Sequence, residues 1–335
     1  MDETWTTRRI SLEQWDERIG VFDSRTVYHS AAWLRILSAE FGLDPHLLIC
    51  EDSDGVPELA WPGLVVRKGP LQVLGSPLPG WSTPYMGPLA ASPQTLARVL
   101  SGTDVDRRLG RFSYVEFRAL QECGSHESFI DMGFQKQSDF ETYLLDIGSP
   151  SEEELWAQLS GKCRNTVRKA RKSDVTVDFE TDDSFIDEFW EMSVTVFATS
   201  GLRPQFSRGL IQQMWDELGN TGLKVATARK DGKRIAMVLL TYDHRSMYDH
   251  ASCSLPEFNR FGPNNLLHWQ GILEAKRMGL RTYDFISASG TAGKFKKSFG
   301  PQKVVTSTTW GRSRTRVEKA LKESYERYLR WRRGA

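Results

Sequence analysis

The chain has 335 residues, of which 39% are hydrophobic and 26% are charged, and its formal net charge is +1. This composition is typical of a globular protein, and the length exceeds what one core usually supports, so we expect two domains. No apolar run approaches the ~20 residues that span a bilayer. The opening MDETWTTRRI contains no apolar segment that would direct secretion. We therefore expect a cytoplasmic protein without a membrane span.

The four cysteines stand at positions 50, 123, 163 and 253. Their spacing fits neither a metal site nor a disulfide framework, and the six histidines form no ligand-like cluster. We therefore expect reduced thiols, no bound metal and no organic cofactor.

The first half predicts an α/β unit that contains a hairpin. HLLICEDSDGVPELAWPGLVV indicates strand, turn and strand, because Asp54-Gly55 supplies the positive φ angles of a tight hairpin. A helix near 92–100, the strand FSYVEF, a helix near 124–132 that ends at Gly133, and the strand ETYLLDI follow.

A second unit is predicted to begin with a helix at Ser151. Ser151 and Glu154 have the spacing of a capping box, in which each side chain bonds the backbone of the other residue. In the continuation of this helix two faces differ in character. One face is apolar, at Cys163, Val167 and Ala170. The other is cationic, at Arg164, Arg168 and Arg171. The spacing predicts that the first face is buried and the second exposed.

The second half repeats the pattern of the first. The strand VTVDFE and a helix ending at Gly201 are followed by LKVATARKDGKRIAMVLLTY, which is again strand, Asp231-Gly232 turn and strand. SMYDHAS, a helix at about 264–278 that ends at Gly279, RTYDFI and KVVTSTTW complete the series. The parallel indicates an internal duplication of an α/β unit, with a chance similarity of two hairpins as the alternative.

The C-terminal segment SRTRVEKALKESYERYLRWRR predicts a helix. Its apolar face, which we expect to dock on a core, consists of Val317, Leu321, Tyr325, Tyr328 and Leu329. Its opposite face and end carry arginines that either contact RNA or remain solvated: Arg327, Arg330, Arg332 and Arg333.

The segment GTAGKFKKSFG, residues 290–300, places Lys294, Lys296 and Lys297 between glycine-rich turns. It comes directly after a strand-like stretch at 283–286. By itself such a segment is most simply a solvated basic turn.

Four segments together resemble the Fem family of aminoacyl-tRNA-dependent transferases, over nearly the whole chain. They are Trp33-Leu34-Arg35, Tyr85-Met86-Gly87-Pro88, the basic helix near 162–172 and the Phe-Lys-x-x-Phe-Gly element. The resemblance implies an α/β fold with two tandem GNAT-like domains, in which helices flank mixed, mainly antiparallel sheets. The expected domains are residues 1–147, with the C-terminal helix 313–335 packed back on them, and residues 148–312.

The same resemblance implies roles for individual residues. Lys296 would stabilise the oxyanion of the attacked ester, and Arg35 and Arg203 would bind phosphate of the acceptor, unless Arg203 is simply a surface residue. Asp249 and Asp284, each at a strand end, are candidates to orient the amine or receive its proton; the alternative is a turn-capping or ion-pairing carboxylate. Further predicted substrate contacts are Tyr85, Asn264, Lys294 and Lys297. The predicted tRNA contacts, with a solvated face as the alternative, are Lys162, Arg164, Arg168 and Arg171.

The turn EFNRFGPNNLL argues against coenzyme A. An acetyltransferase of this fold holds the pyrophosphate on bare amides at a helix N-terminus, but Pro263 removes one donor after Gly262. We therefore predict that the chain transfers an amino acid from aminoacyl-tRNA to an amine of a peptide-like metabolite or peptidoglycan precursor. An acyl-CoA-dependent N-acyltransferase and a non-catalytic RNA-binding protein are the alternatives.

Overall fold

The computed structural model describes residues 5–124, 126–198, 201, 203–204, 206–288 and 290–320. The chain divides into two compact units. The first unit comprises residues 1–140 with those from 306 on, and the second comprises residues 141–305. The domain boundaries predicted after residues 147 and 312 lie slightly further along the chain.

The elements up to residue 146 belong mainly to the first unit. They are β1 (Thr6–Ile10), α1 (Leu12–Ile19), α2 (Ala31–Phe41), β2 (Asp44–Pro45), β3 (Leu47–Glu51), β4 (Pro57–Trp61), β5 (Leu64–Lys68), β6 (Leu71–Ser76), β7 (Leu89–Ala90), α3 (Pro93–Gly102), α4 (Val105–Leu109), β8 (Tyr114–Leu120), α5 (His126–Asp131) and β9 (Gln135–Asp146).

The elements that follow belong mainly to the second unit. They are α6 (Glu152–Gln158), α7 (Gly161–Lys172), β10 (Thr176–Phe179), α8 (Ile186–Ala198), α9 (Arg208–Gly222), β11 (Leu223–Lys230), β12 (Lys233–Tyr242), β13 (Ser246–Ser254), α10 (Pro263–Arg277), β14 (Thr282–Asp284), α11 (Gly290–Lys297) and β15 (Gln302–Ser313).

In the first unit, β1, β3, β4 and β7 form one antiparallel sheet, in that order. The strands β15, β8, β6, β5 and β2 lie side by side in another, in which β6 and β8 run parallel and the other described pairs run antiparallel. Large aromatic side chains fill the core between the helices and these sheets. The fully buried ones include Trp15, Trp33, Trp61, Phe117 and Phe129.

In the second unit the strand order is β10, β11, β12, β13, β14 and β9. Here β13 and β14 are parallel and the other described pairs are antiparallel. The core lies between this sheet and the helices α7 and α10, and it includes Val167, Val238, Leu240, Trp269 and Ile272. The expected α/β class with mixed, mainly antiparallel sheets is confirmed.

The two predicted hairpins differ in the structure. Between β11 and β12, Asp231 and Gly232 both have positive φ, +52° and +77°, and form the predicted two-residue turn. Between β3 and β4 the connection is longer, because the Asp52 carboxylate accepts the N–H groups of Asp54 (2.9 Å) and Val56 (2.8 Å). Only Gly55 has positive φ there (+79°), so the predicted hairpin forms but the two-residue turn at Asp54-Gly55 does not. The Asp52 side chain and a bond from the Asp52 N–H to the Val56 carbonyl oxygen (3.0 Å) close a longer loop.

The predicted capping box is present. The Ser151 N–H donates to Glu154 Oε2 (2.7 Å) and the Glu154 N–H donates to Ser151 Oγ (3.2 Å). The predicted continuous helix is nevertheless two helices, because Leu159 has extended backbone (ψ 139°) and Ser160 caps α7 anew. Both helices keep their apolar faces inward.

The apolar face predicted for the C-terminal helix is not borne out at Val317, whose side chain is 69% exposed. The neighbouring Glu318 is partly buried, and its carboxylate bonds Arg314 (2.7 Å) and Thr315 (3.0 Å). The other members of that face, and the four arginines predicted beside it, lie outside the described residues.

Candidate functional site

The candidate site lies in the second unit, where the parallel strands β13 and β14 separate. Their register pairs residues 246–248 with residues 282–284, and the last pair is Tyr248 with Asp284. Beyond this pair β13 continues to Ser254, whereas the chain leaves β14 through Phe285. Backbone groups on the facing edges therefore need partners from outside the strand pair.

Lys296 occupies this point of separation. Its ammonium lies 3.1 Å from Asp249 Oδ2 on β13 and donates a hydrogen bond to the carbonyl oxygen of Phe285, just after β14. The Lys296 side chain is 13% exposed and Asp249 is 4% exposed. With one partner on β13 and one just after β14, the cation is held beside a carboxylate in a largely dry setting.

The three lysines of α11 point in different directions. Lys294 and Lys297 are exposed, whereas Lys296 is partly buried. Neighbouring side chains on a helix project about 100° apart, so only one of the three reaches the strands. The segment is therefore not a uniformly solvated basic turn.

A β-bulge follows Asp249 on β13. Leu239 pairs with Ala251 and Leu240 pairs with Asp249, which leaves His250 as the extra residue of β13. A bulge of this kind bends the strand and redirects the neighbouring side chains. No pattern in the sequence indicated the bulge.

Asp284 also lies at the predicted strand end, but its carboxylate has a different setting. Oδ1 accepts the Ile286 N–H (2.7 Å) and the Thr142 hydroxyl. Ile286 has φ +58°, an unusual backbone conformation for a β-branched residue. Asp284 therefore stabilises a strained turn beside Phe285, in agreement with the turn-capping alternative.

His268, on α10, is a residue of the site that sequence reasoning missed. It is 2% exposed, its Nδ1 lies 3.2 Å from the Tyr283 hydroxyl, and its ring contacts Phe295 and Phe299 at centroid distances of 5.3 and 5.7 Å. Burial lowers the pKa of His268, opposed by Asp249 and assisted by Lys296. A neutral imidazole thus supports the apolar side of α11.

The lysine element and the basic helix meet directly. The Ser160 N–H, which begins α7, donates to the carbonyl oxygen of Ser298 (2.8 Å). A Cβ on Gly300 would lie 2.7 Å from the Gln158 carbonyl oxygen, and Gly300 has φ +84°. The glycine that ends the Phe-Lys-x-x-Phe-Gly element is thus required both by its conformation and by the close approach of α6.

The cationic face predicted on α7 is only partly free. Arg164 donates to the carbonyl oxygens of Ala157 (2.8 Å) and Leu159, so its guanidinium caps the end of α6. Arg168 is exposed and lies over the Trp156 ring at 5.4 Å. Lys162 and Arg171 are also exposed. The predicted burial of Cys163, Val167 and Ala170 is confirmed.

The start of α10 carries the predicted Asn264. Its side-chain amide donates to Ser254 Oγ (3.0 Å) at the end of β13. Gly262 precedes the helix with φ +75°, and a Cβ there would lie 2.3 Å from Thr166 Cγ2 of α7. The backbone at this helix start is therefore in close contact with α7.

The remaining predicted substrate residues are in three other places. Arg35 is exposed on α2, next to Trp33, whose Nε1 donates to Thr83 Oγ1 (3.0 Å). Tyr85 is 2% exposed and its hydroxyl accepts a hydrogen bond from Thr306 Oγ1 (3.1 Å). Tyr85 is thus a core residue of the first unit. Arg203 is exposed in an irregular segment of the second unit.

The Tyr-x-Gly-Pro loop has a structural explanation. A Cβ on Gly87 would lie 2.3 Å from the carbonyl oxygen of Arg118, so only glycine fits there. The Gly87 N–H donates to Nε2 of His29, which is fully buried. This loop is therefore fixed in the core of the first unit.

Within the described part of the chain, no group of three or more histidine, cysteine or acidic side chains could hold a metal ion. In that same part, no helix is long and apolar enough to cross a membrane. A cavity of about 690 Å³ in the first unit contains none of the predicted site residues and is lined by cations that include Lys136, Arg312 and Arg314.

Comparison with known proteins agrees with this architecture. Residues 158–297, which contain the Lys296 site, match the sequence model of the acetyltransferase (GNAT) domain. No curated protein matches the chain in sequence. The fold is thus of the GNAT acyltransferase type.

Solved structures extend the match to both units. FemX superposes with a TM-score of 0.75 at 14% identity, covering 92% of this chain and 97% of FemX. L-PGS from Bacillus licheniformis superposes with a TM-score of 0.56 at 14% identity, covering 92% of this chain and 94% of L-PGS. A tandem GNAT protein from the clavulanic acid biosynthesis pathway superposes with a TM-score of 0.55 at 11% identity, covering 93% of this chain and 99% of that protein. The chain therefore has a Fem-like tandem GNAT fold.

Proposed function

We propose that the protein is an aminoacyltransferase that moves an amino acid from aminoacyl-tRNA to an amine and forms an amide bond. The observation that carries this proposal is the position of Lys296. Its ammonium is held between two separating strands by Asp249 and the Phe285 carbonyl.

The reaction asks for little beyond positioning and charge stabilisation. The amine nitrogen of the acceptor attacks the ester carbonyl, and negative charge develops on the carbonyl oxygen. The bond to the ribose oxygen then breaks, and that oxygen takes up the proton that the amine loses. An aminoacyl ester is already activated, so a fixed donor aimed at the developing oxyanion supplies the main protein contribution.

In this proposal Asp249 acts on Lys296 rather than on the substrate. An ammonium has three N–H donors. The Phe285 carbonyl accepts one of them and Asp249 lies at ion-pair distance, so a further N–H is available for the ester oxygen. The carboxylate supplies the counter-charge that a largely buried ammonium requires. Asp284, which bonds the Ile286 N–H and Thr142, maintains the turn that presents the Phe285 carbonyl.

The surface proposed to bind the aminoacyl-tRNA is the exposed part of α7. Lys162, Arg168 and Arg171 offer cations to an RNA backbone, and α7 begins at the Ser298 carbonyl that follows α11. Arg164 is excluded from this role because its guanidinium caps α6. Lys294 and Lys297, exposed on α11, would contact donor or acceptor.

The proposed acceptor is a small peptide-like metabolite or peptidoglycan precursor, and an anionic group on it would suit Arg35 and Arg203. Both arginines are exposed, and a guanidinium binds oxyanions through paired hydrogen bonds.

An acyl-CoA-dependent N-acyltransferase is the second candidate, favoured by the match to the acetyltransferase domain model. The start of α10 argues against it. Pro263 lacks an N–H, and Gly262 packs against Thr166 of α7. A pyrophosphate needs free amides at such a helix start, so aminoacyl-tRNA is the preferred donor.

A donor-consumption assay tests the proposal. The protein is incubated with a radiolabelled mixed aminoacyl-tRNA pool and a panel of amines, and in parallel with acyl-CoA. We expect amide product and loss of label from tRNA only in the first arm. Consumption of acyl-CoA would instead identify an acyl-CoA-dependent N-acyltransferase. Binding of tRNA without consumption of either donor would indicate a non-catalytic RNA-binding protein.

Reversing the charges of Arg168 and Arg171 together is expected to weaken tRNA binding at least tenfold at low salt. The slope of log K against log salt should flatten by about 0.7 to 0.9 for each phosphate that the variant no longer neutralises. Filter binding at several salt concentrations measures both quantities.

The matched control is Arg277→Glu, which makes the same type of charge change at a side chain that is 71% exposed at the end of α10. If the double variant and the wild type have equal tRNA affinity and equal salt slope, this face of α7 does not contact tRNA and is an ordinary solvated surface.

A further inference from the structure

A small basic pocket lies in the first unit, and its lining contains none of the residues assigned above to donor, acceptor or catalysis. Its volume is about 190 Å³ and its lining includes Arg9 of β1, Arg67 of β5, Arg108 of α4, Arg111 and His46. We call these five residues the arginine pocket. Segments far apart in sequence thus converge on one cavity.

The charges of the arginine pocket are only partly balanced by the protein, although Asp44 also lines it. Arg67 pairs with Asp44, and Arg108 pairs with Asp104 at 2.9 Å. Neither Arg9 nor Arg111 has a carboxylate partner among the residues that the structure describes. The Arg9 guanidinium donates to the Pro45 carbonyl oxygen, at 3.0 Å. Repulsion between like charges opposes such a cluster unless an anion enters it.

His46 lines the arginine pocket and adds a polar group that is not engaged elsewhere. Its Nε2 atom is buried and has no hydrogen-bond partner among the described residues, and its ring is held edge-on against Phe112 at 5.0 Å. A buried polar atom without a partner is destabilising, so a hydrogen-bonding ligand at this position would be favoured.

The imidazole can act as a donor in this setting. Burial, and then the charges of Arg9, Arg108 and Arg111, lower the pKa of His46 to about 4. His46 is therefore neutral at pH 7 and has one N–H to donate.

We propose that the arginine pocket binds a phosphate group. Guanidinium groups bind phosphate oxygens through paired, charge-assisted hydrogen bonds, and four of them around one small cavity suit an anion of more than one charge. The His46 N–H donates to a further oxygen. The ligand is inorganic phosphate, a phosphomonoester or an RNA phosphodiester, which share this chemistry.

The proposal does not depend on the proposed transferase activity. The arginine pocket contains none of the residues assigned to donor, acceptor or catalysis. Its test measures anion binding alone, so that each proposal can fail while the other stands.

The test is an NMR titration of the histidine ring signals of the full chain, with His46 assigned by the signal that disappears in His46→Gln. Three ligands are added separately at constant ionic strength: inorganic phosphate, glycerol 3-phosphate and an unphosphorylated RNA dinucleotide. We expect at least one of them to raise the pKa of His46 saturably, by roughly one unit or more, because a nearby negative charge favours the imidazolium. The arm that saturates at the lowest concentration identifies the source of the phosphate.

Arg111→Ala supplies the decisive comparison, since Arg111 is exposed and its removal should leave the fold intact. We expect affinity for the effective ligand to fall at least tenfold, as removal of a charge-assisted hydrogen bond worth about 1.5–3 kcal/mol requires. Arg107→Ala, at a side chain that is 72% exposed and does not line the pocket, should bind as the wild type does. No saturable change in any arm, the same change with sodium chloride, or equally weakened binding in both variants would overturn the proposal.

Discussion

Replacing Lys296 with methionine is expected to slow transfer from pre-bound aminoacyl-tRNA by roughly 10²–10³-fold, the usual effect of removing one oxyanion donor. The affinity for tRNA should remain nearly unchanged, because the interaction forms only as charge develops on the ester oxygen. Single-turnover kinetics isolates this chemical step from binding.

Lys294→Met and Lys297→Met are the matched controls on the same helix. Both remove one positive charge, but both side chains are exposed, and neither occupies the position between β13 and β14. They should weaken binding or have little effect, and they should leave the single-turnover rate within a few-fold of the wild type. A wild-type rate for Lys296→Met would refute the catalytic assignment.

The Lys296 variant also carries a stability cost that must be separated from catalysis. Methionine leaves the Asp249 carboxylate buried without its counter-ion, which typically costs about 3–5 kcal/mol. In the double variant Lys296→Met/Asp249→Asn the buried charge is gone, so thermal stability should recover while the rate remains low. Recovery of the rate together with stability would mean that Lys296 only supports the fold.

Acidification from pH 7 to pH 5 is expected to lower the free energy of unfolding by about 2 kcal/mol through His29 alone. Burial lowers the pKa of His29 to about 3, whereas the unfolded chain titrates near 6.5. Below pH 6.5 His29 is therefore protonated in the unfolded chain but remains neutral in the folded chain. The contribution of His29 to the free energy of unfolding is therefore fully present above pH 6.5 and is lost as the pH falls. Urea unfolding at pH 7, 6 and 5 measures the slope.

His46 and His250, whose pKa values burial lowers to about 4, act in the same direction. His29→Gln should reduce the wild-type slope by about 1.4 kcal/mol per pH unit. His244→Gln, at an exposed histidine, should retain the wild-type slope. The readout is the slope and not the absolute stability, because His29 also accepts the Gly87 N–H. An unchanged slope in His29→Gln would contradict the assignment.

The sequence by itself determined the features that depend on neighbouring residues. The Asp231-Gly232 turn, the Ser151–Glu154 capping box and the end of α10 before Gly279 all formed as predicted. Each is a contact or a backbone conformation that a few consecutive residues decide, so local rules suffice. The separation of Lys296 from its two neighbouring lysines was also foreseeable, because the helical period fixes their relative directions.

The tertiary structure alone decided which partners these residues have. Lys296 is 47 residues from Asp249 in sequence, and only the folding of α11 against β13 brings the two side chains together. In the sequence Arg164 is indistinguishable from the other arginines of the basic face. In the structure the helix is interrupted at Leu159, and the Arg164 guanidinium donates to two carbonyl oxygens at the end of α6. His268 had no sequence signal, since its importance comes from burial against Phe295 and Phe299. The convergence of four arginines on His46 was equally hidden. Side-chain partners, burial and local charge depend on residues distant in sequence, and only the folded chain brings them together.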